Sequence, residues 1–179
     1  MQKRIVALCL SMFVLIAVAA LAQEEKASRP SPAAQAQCQF ADGKTIRVDY
    51  SSPRAKGRKI YGGLVPYGEV WRTGANDATT FVTDANLSVN GKDVPAGSYT
   101  IFTIPNQGKW TLIINKKTGE WGIPYKYEGD ELLRTDMQVS KTPTPVENFT
   151  IAFDQAGNSC TMHLDWENTR ASIAFEEKK

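Results

Sequence analysis

Histidine and cysteine are scarce in this 179-residue chain, which contains one histidine and three cysteines. Zinc sites usually draw several ligands from these two residue types at close spacing, so the scarcity argues against a zinc centre. A nucleophilic serine or cysteine needs a base held by an orienting group, and the motif GxSxG is absent, as is a calcium loop of the DxDxDG type. We therefore expect no metal and no cofactor, and the residues favour a protein without catalytic activity over an enzyme.

The single histidine, His163, lies in a segment where polar and apolar residues alternate. Alternation places it with Thr161 and Asp165 on the strand face opposite Met162 and Leu164. We therefore expect His163 to face solvent or to form a hydrogen bond at the surface.

Only one long apolar run is present, over residues 5–18. It follows Lys3 and Arg4 and precedes a small-residue pattern that ends at Ala22, which together are typical of a secretory signal peptide over residues 1–22. The run is shorter than the ~20 apolar residues that a membrane-spanning helix needs. We therefore expect cleavage after Ala22, no membrane span afterwards, and a periplasmic or secreted protein.

A basic excess is also lacking once residues 1–22 are set aside. Their removal takes away two basic residues and no acidic one, which leaves 19 basic against 19 acidic residues. Proteins that bind nucleic acid normally show a basic excess or stripe that neutralises phosphates. Nucleic acid is therefore not an expected partner.

The mature chain divides into a leader and one domain. Residues 23–37 contain two prolines and no aromatic or β-branched residue, so we expect a flexible leader there. Residues 38–179 are long enough for a single domain with an ordinary core. Cys38 and Cys160 remain after processing, and the sequence leaves open whether they form a disulfide or stay as buried thiols.

Residues in the domain alternate with a period of two, which is typical of half-buried strands. Ile46 and Val48 share one face of a predicted strand, and Asn90-Gly91 is typical of a two-residue hairpin turn. We expect an antiparallel β-sandwich or flattened barrel of about eight to ten short strands with little helix. One helical turn is expected at residues 130–134, and a turn between strands at residues 167–169.

The most unusual segment, which we call the glycine-rich segment, covers residues 57–80. It contains five of the thirteen glycines beside arginine and tryptophan side chains. Glycines at this density indicate a specified loop path, and arginines beside exposed amides suit an anion. In the alternative interpretation Arg72 forms an internal pair that holds the loop, and Trp71 packs in the core.

A second cluster of aromatic residues lies in the loop at residues 121–127, WGIPYKY. Exposed aromatic rings suit sugar rings or peptide side chains, whereas rings that cover an open end of a sandwich are structural. The two segments together give the predicted ligand-binding residues, namely Arg58, Arg72, Asn76, Trp71, Tyr61, Thr79, Trp121 and Tyr127.

The stretch GRKIYGGLVPYGEVWRTGANDATT, followed by VNGKDVPAGSYTIFTIP, resembles the bacterial secreted family catalogued as domain of unknown function 2911. The resemblance spans most of the mature domain and implies a secreted or periplasmic protein, without an established activity. The positions that carry the resemblance in the first block, with roles unassigned, are Gly57, Arg58, Gly62, Pro66, Gly68, Trp71, Arg72, Gly74, Ala75, Asn76 and Thr79.

We therefore expect a non-catalytic binding module for a small anionic or sugar-like ligand or a protein partner. The alternative is a hydrolase that acts on glycans or esters through a pair of loop carboxylates. The carboxylates available for such a pair are Glu69, Asp77, Glu128, Asp130 and Glu131.

Overall fold

The computed structural model describes residues 29–178. The expected signal peptide at residues 1–22 and the first part of the expected leader lie outside the described residues. No helix within the described range is long and apolar enough to cross a bilayer.

The described chain is almost entirely β-structure, as predicted. Its nine strands are β1 Ala33–Gln39, β2 Thr45–Ser51, β3 Thr80–Thr83, β4 Leu87–Val89, β5 Lys92–Val94, β6 Gly97–Ile104, β7 Lys109–Asn115, β8 Glu131–Ala156 and β9 Ser159–Glu177. They form one antiparallel sheet in the order β1-β2-β3-β6-β7-β8-β9-β4-β5, which is not closed. A single 3-10 turn, Glu128–Asp130, precedes β8.

The sheet folds back on itself around a common core, which makes the fold sandwich-like. Strand β1 contacts β8 without pairing with it, and the backbone N–H of Ile151 in β8 donates a hydrogen bond to the Tyr50 hydroxyl of β2 at 3.0 Å. A disulfide joins Cys38 of β1 to Cys160 of β9, with 6.2 Å between the Cα atoms, and both residues are buried. Strand β1, at one end of the strand order, is therefore held across the core to β9, the seventh strand in that order.

Alternation explains most of the strands. Ile46 and Val48 of β2 are fully buried, and Asp49 between Val48 and Tyr50 is partly exposed. The predicted hairpin is confirmed: Asn90 and Gly91 join β4 to β5, and both have positive φ, of 48° and 77°. A two-residue turn with these angles matches the right-handed twist of its strands.

Strands β6 and β7 depart from alternation because both of their faces are covered. Ile113 is buried beside its buried neighbours in β7, and it packs with Phe102 and Ala78 in a second, smaller cluster. Tyr125 and Tyr127 of the 121–127 loop cover this cluster. The loop therefore folds over the outer face of the sheet rather than projecting away from it.

Three local expectations are wrong. The turn at residues 167–169 is absent, since β9 continues through it: Glu167 takes a positive φ of 50° and the pairing register with β8 shifts nearby. The helical turn at residues 130–134 is also absent, because the 3-10 turn ends at Asp130 and β8 begins at Glu131. The strands are accordingly not all short, since β8 and β9 contain 26 and 19 residues.

The domain begins earlier than expected. Residues 33–37, assigned to the flexible leader, belong to β1 and pair in register with β2. Backbone hydrogen bonds to β2 order this segment although its side chains are small, and Ala34 and Ala36 pack against the core.

Candidate functional site

Trp71 fixes the middle of the glycine-rich segment to the sheet. Its backbone N–H donates to the carbonyl oxygen of Thr103 in β6 at 2.7 Å, and Thr103 donates back at 3.0 Å. The indole Nε1–H donates to the carbonyl oxygen of Gly74 at 3.0 Å, and the ring stacks against Trp166 with 6.0 Å between centroids. Trp71 is therefore part of an aromatic core and at the same time reaches the surface, since it is only half-buried.

Arg72 points away from this core towards the 121–127 loop. Its guanidinium carbon lies 4.8 Å from the centre of the Trp121 ring, and Nη1 donates a hydrogen bond to the carbonyl oxygen of Asn76. Burial lowers the pKa of Arg72, and the nearby Asp77 carboxylate opposes this shift. A guanidinium remains protonated in proteins, so the group is a half-buried, permanent positive charge.

Asn76 links the glycine-rich segment to the start of the described chain. It takes a left-handed conformation with φ of 58°, and its side-chain Nδ2 donates to the carbonyl oxygen of Ser31 at 3.0 Å. Its neighbour Asp77 lies 3.5 Å from the Arg29 guanidinium. The residues that precede β1 are thereby held at the edge of the site.

Gly122 sets the close approach of the 121–127 loop to the glycine-rich segment. Its φ is +92°, and a Cβ atom built there would lie 2.8 Å from the Cβ of Ala78 and 3.3 Å from the Cβ of Arg72. Only glycine tolerates both the angle and this contact. The adjacent Trp121 is thereby placed beside Arg72, with 56% of its surface exposed.

Between these two segments lies a cavity of about 410 Å³, which we call the aromatic cavity. Arg72, Asn76 and Trp71 line it from the glycine-rich segment, and Trp121 lines it from the loop. Four of the predicted ligand-binding residues therefore share one cavity, although the two segments are separated by five strands, β3 to β7, in the sequence.

The other predicted ligand-binding residues are not part of the cavity lining. Arg58 holds its own loop, donating to the carbonyl oxygens of Ala55 at 3.0 Å and Arg54 at 2.6 Å. Tyr61 is buried in the aromatic core, with its ring centre 4.9 Å from that of Trp110.

Thr79 and Tyr127 also have internal contacts. Thr79 is buried and its hydroxyl donates to the carbonyl oxygen of Thr73 at 2.8 Å. Tyr127 stacks on Phe102 at 6.0 Å, and its hydroxyl donates to Glu120 at 3.3 Å. These two residues therefore make structural contacts and do not line the aromatic cavity.

Sequence reasoning missed the apolar part of the lining. Among the described residues the large apolar side chains that are exposed are Leu64, Tyr67, Trp121 and Ile123, and all of these except Tyr67 line the aromatic cavity. Leu64 and Ile123 stand beside glycine or proline in irregular segments, where an exposed apolar side chain has no core to join. A large apolar residue beside glycine or proline in an irregular segment is the sequence feature that could have identified them.

The carboxylates considered for a hydrolase lie in different places. Glu69 lines the aromatic cavity, whereas Asp77 lines a separate cavity of about 550 Å³ beside β1 and β2. Glu131 accepts hydrogen bonds from the Tyr125 hydroxyl at 2.5 Å and from Arg134 at 2.6 and 2.7 Å. The 3-10 turn holds both Glu128 and Asp130.

His163 makes a contact at the surface, away from the aromatic cavity. His163 Nε2 lies 2.7 Å from Asp154 Oδ2, a hydrogen bond of the kind expected from the sequence, with 12% of the histidine side chain exposed. Within residues 29–178 no cluster of three or more His, Cys, Asp or Glu side chains is arranged to hold a metal ion.

The chain belongs to the family described as "Protein of unknown function (DUF2911)", whose model matches residues 31–175. The match begins two residues before β1 and ends within β9, so it covers both walls of the aromatic cavity. No curated protein and no solved structure matches the chain.

Proposed function

We propose that the protein is a non-catalytic binding module that acts outside the cytoplasm and holds a small anionic or sugar-like ligand in the aromatic cavity. One observation carries the proposal: Arg72 and Asn76 of the glycine-rich segment and Trp121 of the loop line the same cavity. A concave, mostly apolar site with a few placed polar groups is the usual form of a small-molecule site.

The compartment is supported by two features of the chain. Residues 1–22 have the pattern of a secretory signal. Cys38 and Cys160 are bridged in the structure, and disulfides persist mainly in oxidising compartments outside the cytoplasm.

The side chains of the cavity supply two kinds of contact. Trp121 offers an exposed aromatic surface against which a ring or an alkyl chain can pack. Arg72 offers a fixed positive charge whose planar fork suits a carboxylate. The contact with Trp121 and the hydrogen bond to the backbone carbonyl oxygen of Asn76 restrict this fork before a ligand arrives, which reduces the entropy lost on binding.

The proposal is tested by isothermal titration calorimetry of the mature protein with D-glucuronate, D-glucose and 3-phenylpropionate. We expect saturable binding of at least one of these probes. Trp121→Ala should abolish that binding, because it removes the exposed aromatic wall.

Tyr67→Ala is the matched control, since Tyr67 is also exposed and aromatic but does not line the cavity. This variant should bind as the unchanged protein does. Absence of binding for all probes, or binding that survives Trp121→Ala, would refute the proposal.

A further inference from the structure

We infer that the ligand of the aromatic cavity is an amphipathic monocarboxylate, an apolar body with a single carboxylate group, rather than a sugar. This inference rests on the function proposed above and narrows its ligand class. It follows from the proportion of apolar to polar groups in the lining, and from the charge and the hydrogen-bond partners of each polar group.

The walls are mainly hydrocarbon. Leu64, Ile123 and Trp121 are exposed towards solvent at 48%, 36% and 56% of their surfaces, which is unusual for large apolar side chains that lie together. Val70 and Pro66 add to the same lining. An apolar ligand would remove this surface from water, whereas sugar hydroxyls placed here would lose their hydration.

The polar side chains of the lining are few and partly engaged. Asn76 donates a hydrogen bond from its side-chain Nδ2 to the carbonyl oxygen of Ser31, and its backbone carbonyl oxygen accepts a hydrogen bond from Arg72. A sugar ring carries a hydroxyl on almost every carbon, and each one needs a hydrogen-bond partner when it is buried. The lining therefore offers too few polar partners for a sugar, but enough for one polar group.

Arg72 favours a carboxylate as the one polar group of the ligand. Its guanidinium carbon lies over the Trp121 ring, 4.8 Å from the ring centre, and this cation–π contact leaves the N–H donors of the group for hydrogen bonding. Nη1 donates to Asn76, and the fork has five N–H donors in total, so donors remain for a carboxylate. Half-burial strengthens the attraction between the guanidinium and an anion.

Glu69 limits the charge of the ligand. It is exposed and lines the same cavity as Arg72, and the two side chains do not form an ion pair with each other among the described residues. A dianion would place its second negative charge near this carboxylate. A ligand with a single negative charge satisfies Arg72 without that repulsion.

The experiment compares three probes by isothermal titration calorimetry: 3-phenylpropionate, the neutral 3-phenyl-1-propanol and D-glucuronate. We expect the acid to bind at least tenfold more tightly than the alcohol, and glucuronate to bind more weakly than either. Arg72→Gln should reduce the preference for the acid over the alcohol to less than threefold. Retained binding of the alcohol would show that this variant is folded.

Two further variants distinguish the loss of the carboxylate contact from a general loss of structure. Arg72→Lys keeps the charge without the planar fork and should show an intermediate preference, whereas Arg58→Ala, which removes an arginine outside the cavity, should leave all affinities unchanged. Equal affinity for acid and alcohol in the unchanged protein would refute the inference. Tighter, Trp121-dependent binding of glucuronate would refute it while the proposed function stands, and binding of none of the probes would refute both.

Discussion

The guanidinium of Arg72 lies against the indole ring of Trp121, 4.8 Å from its centre. The two residues come from separate irregular segments, and each also has support from its own neighbours. Asn76 accepts a hydrogen bond from the arginine, and Gly122 places the tryptophan next to it. The contact therefore forms only when both segments are correctly folded. Its loss would indicate that at least one of the two segments has changed its conformation.

Trp121→Ala should lower the free energy of unfolding by about 0.5 to 1 kcal/mol, the value of a cation–π contact at an exposed site. Trp166→Ala, which removes a tryptophan that is only 1% exposed, should cost about 3 to 5 kcal/mol. Urea denaturation followed by circular dichroism measures both values. A loss for Trp121→Ala as large as that for Trp166→Ala would mean that Trp121 belongs to the core.

Gly122→Ala should destabilise the protein by about 1 to 3 kcal/mol, because a side chain at positive φ is strained and the added Cβ meets Ala78. The variant should also weaken ligand binding, since Trp121 must shift with the loop. Gly108→Ala is the control, because a Cβ there meets nothing within 4 Å. Thermal unfolding and calorimetric titration of the two variants check the prediction, which fails if both tolerate the change equally.

Replacing Cys38 and Cys160 together by serine should reduce stability by about 4 to 5 kcal/mol, because the bridge closes a very long loop in the unfolded chain. Urea denaturation of the variant and of the oxidised protein gives the difference. In the unchanged protein, alkylation under denaturing conditions should modify neither cysteine until a reductant is added. Two thiols that react without reductant would contradict the bridge.

The pair of Glu131 and Arg134 should make stability depend on pH in the acid range. Hydrogen bonds from Arg134 lower the pKa of Glu131 below its ordinary value of 4.5, and burial opposes this shift. A carboxyl group whose pKa is lower in the folded state stabilises the protein above the pKa of the unfolded chain, and this contribution is lost as the pH falls through the folded value. Stability should therefore fall below about pH 4.5.

Glu131→Gln separates this pair from other carboxylates. The variant should be less stable than the unchanged protein at pH 7, and the difference should shrink as the pH falls below 4.5. Glu128→Gln, at an exposed position in the preceding turn, is the matched control and should show a smaller difference. Thermal unfolding at several pH values provides the measurement, and a difference for Glu131→Gln that stays constant down to pH 3 would disprove the prediction.

Strands with one exposed face could be predicted from the sequence, because burial on one side imposes alternation. Thr45–Ser51 is an example, since Ile46, Val48 and Tyr50 are buried at the predicted positions and Arg47 between them is exposed. The continuity of β9 could not be predicted, because polar residues around Glu167 are typical of a turn. In the folded protein backbone pairing carries the strand through the irregular position, and pairing partners lie far away in the sequence.

Only part of the candidate site could be predicted, because its contacts, like the strand pairing, join residues that lie far apart in the sequence. Glycine density identified a segment with a specified path, but it did not separate Arg58 from Arg72, since both are arginines in the same segment. Their roles differ because Arg58 turns back to the carbonyl oxygens of its own loop, while Arg72 meets Trp121 from a distant loop. Such long-range contacts follow from the topology of the sheet and not from local composition.

Asn76 holds Ser31 with its side chain and Arg72 with its backbone carbonyl oxygen. The position at which a fragment of this protein begins therefore affects the conformation of Asn76. A chain cut to begin at Cys38 would retain both bridged cysteines, yet it would lack most of strand β1 and the carbonyl group that orients Asn76. Recombinant proteins intended for ligand screening should accordingly keep residues 29–37, even though these residues do not line the aromatic cavity.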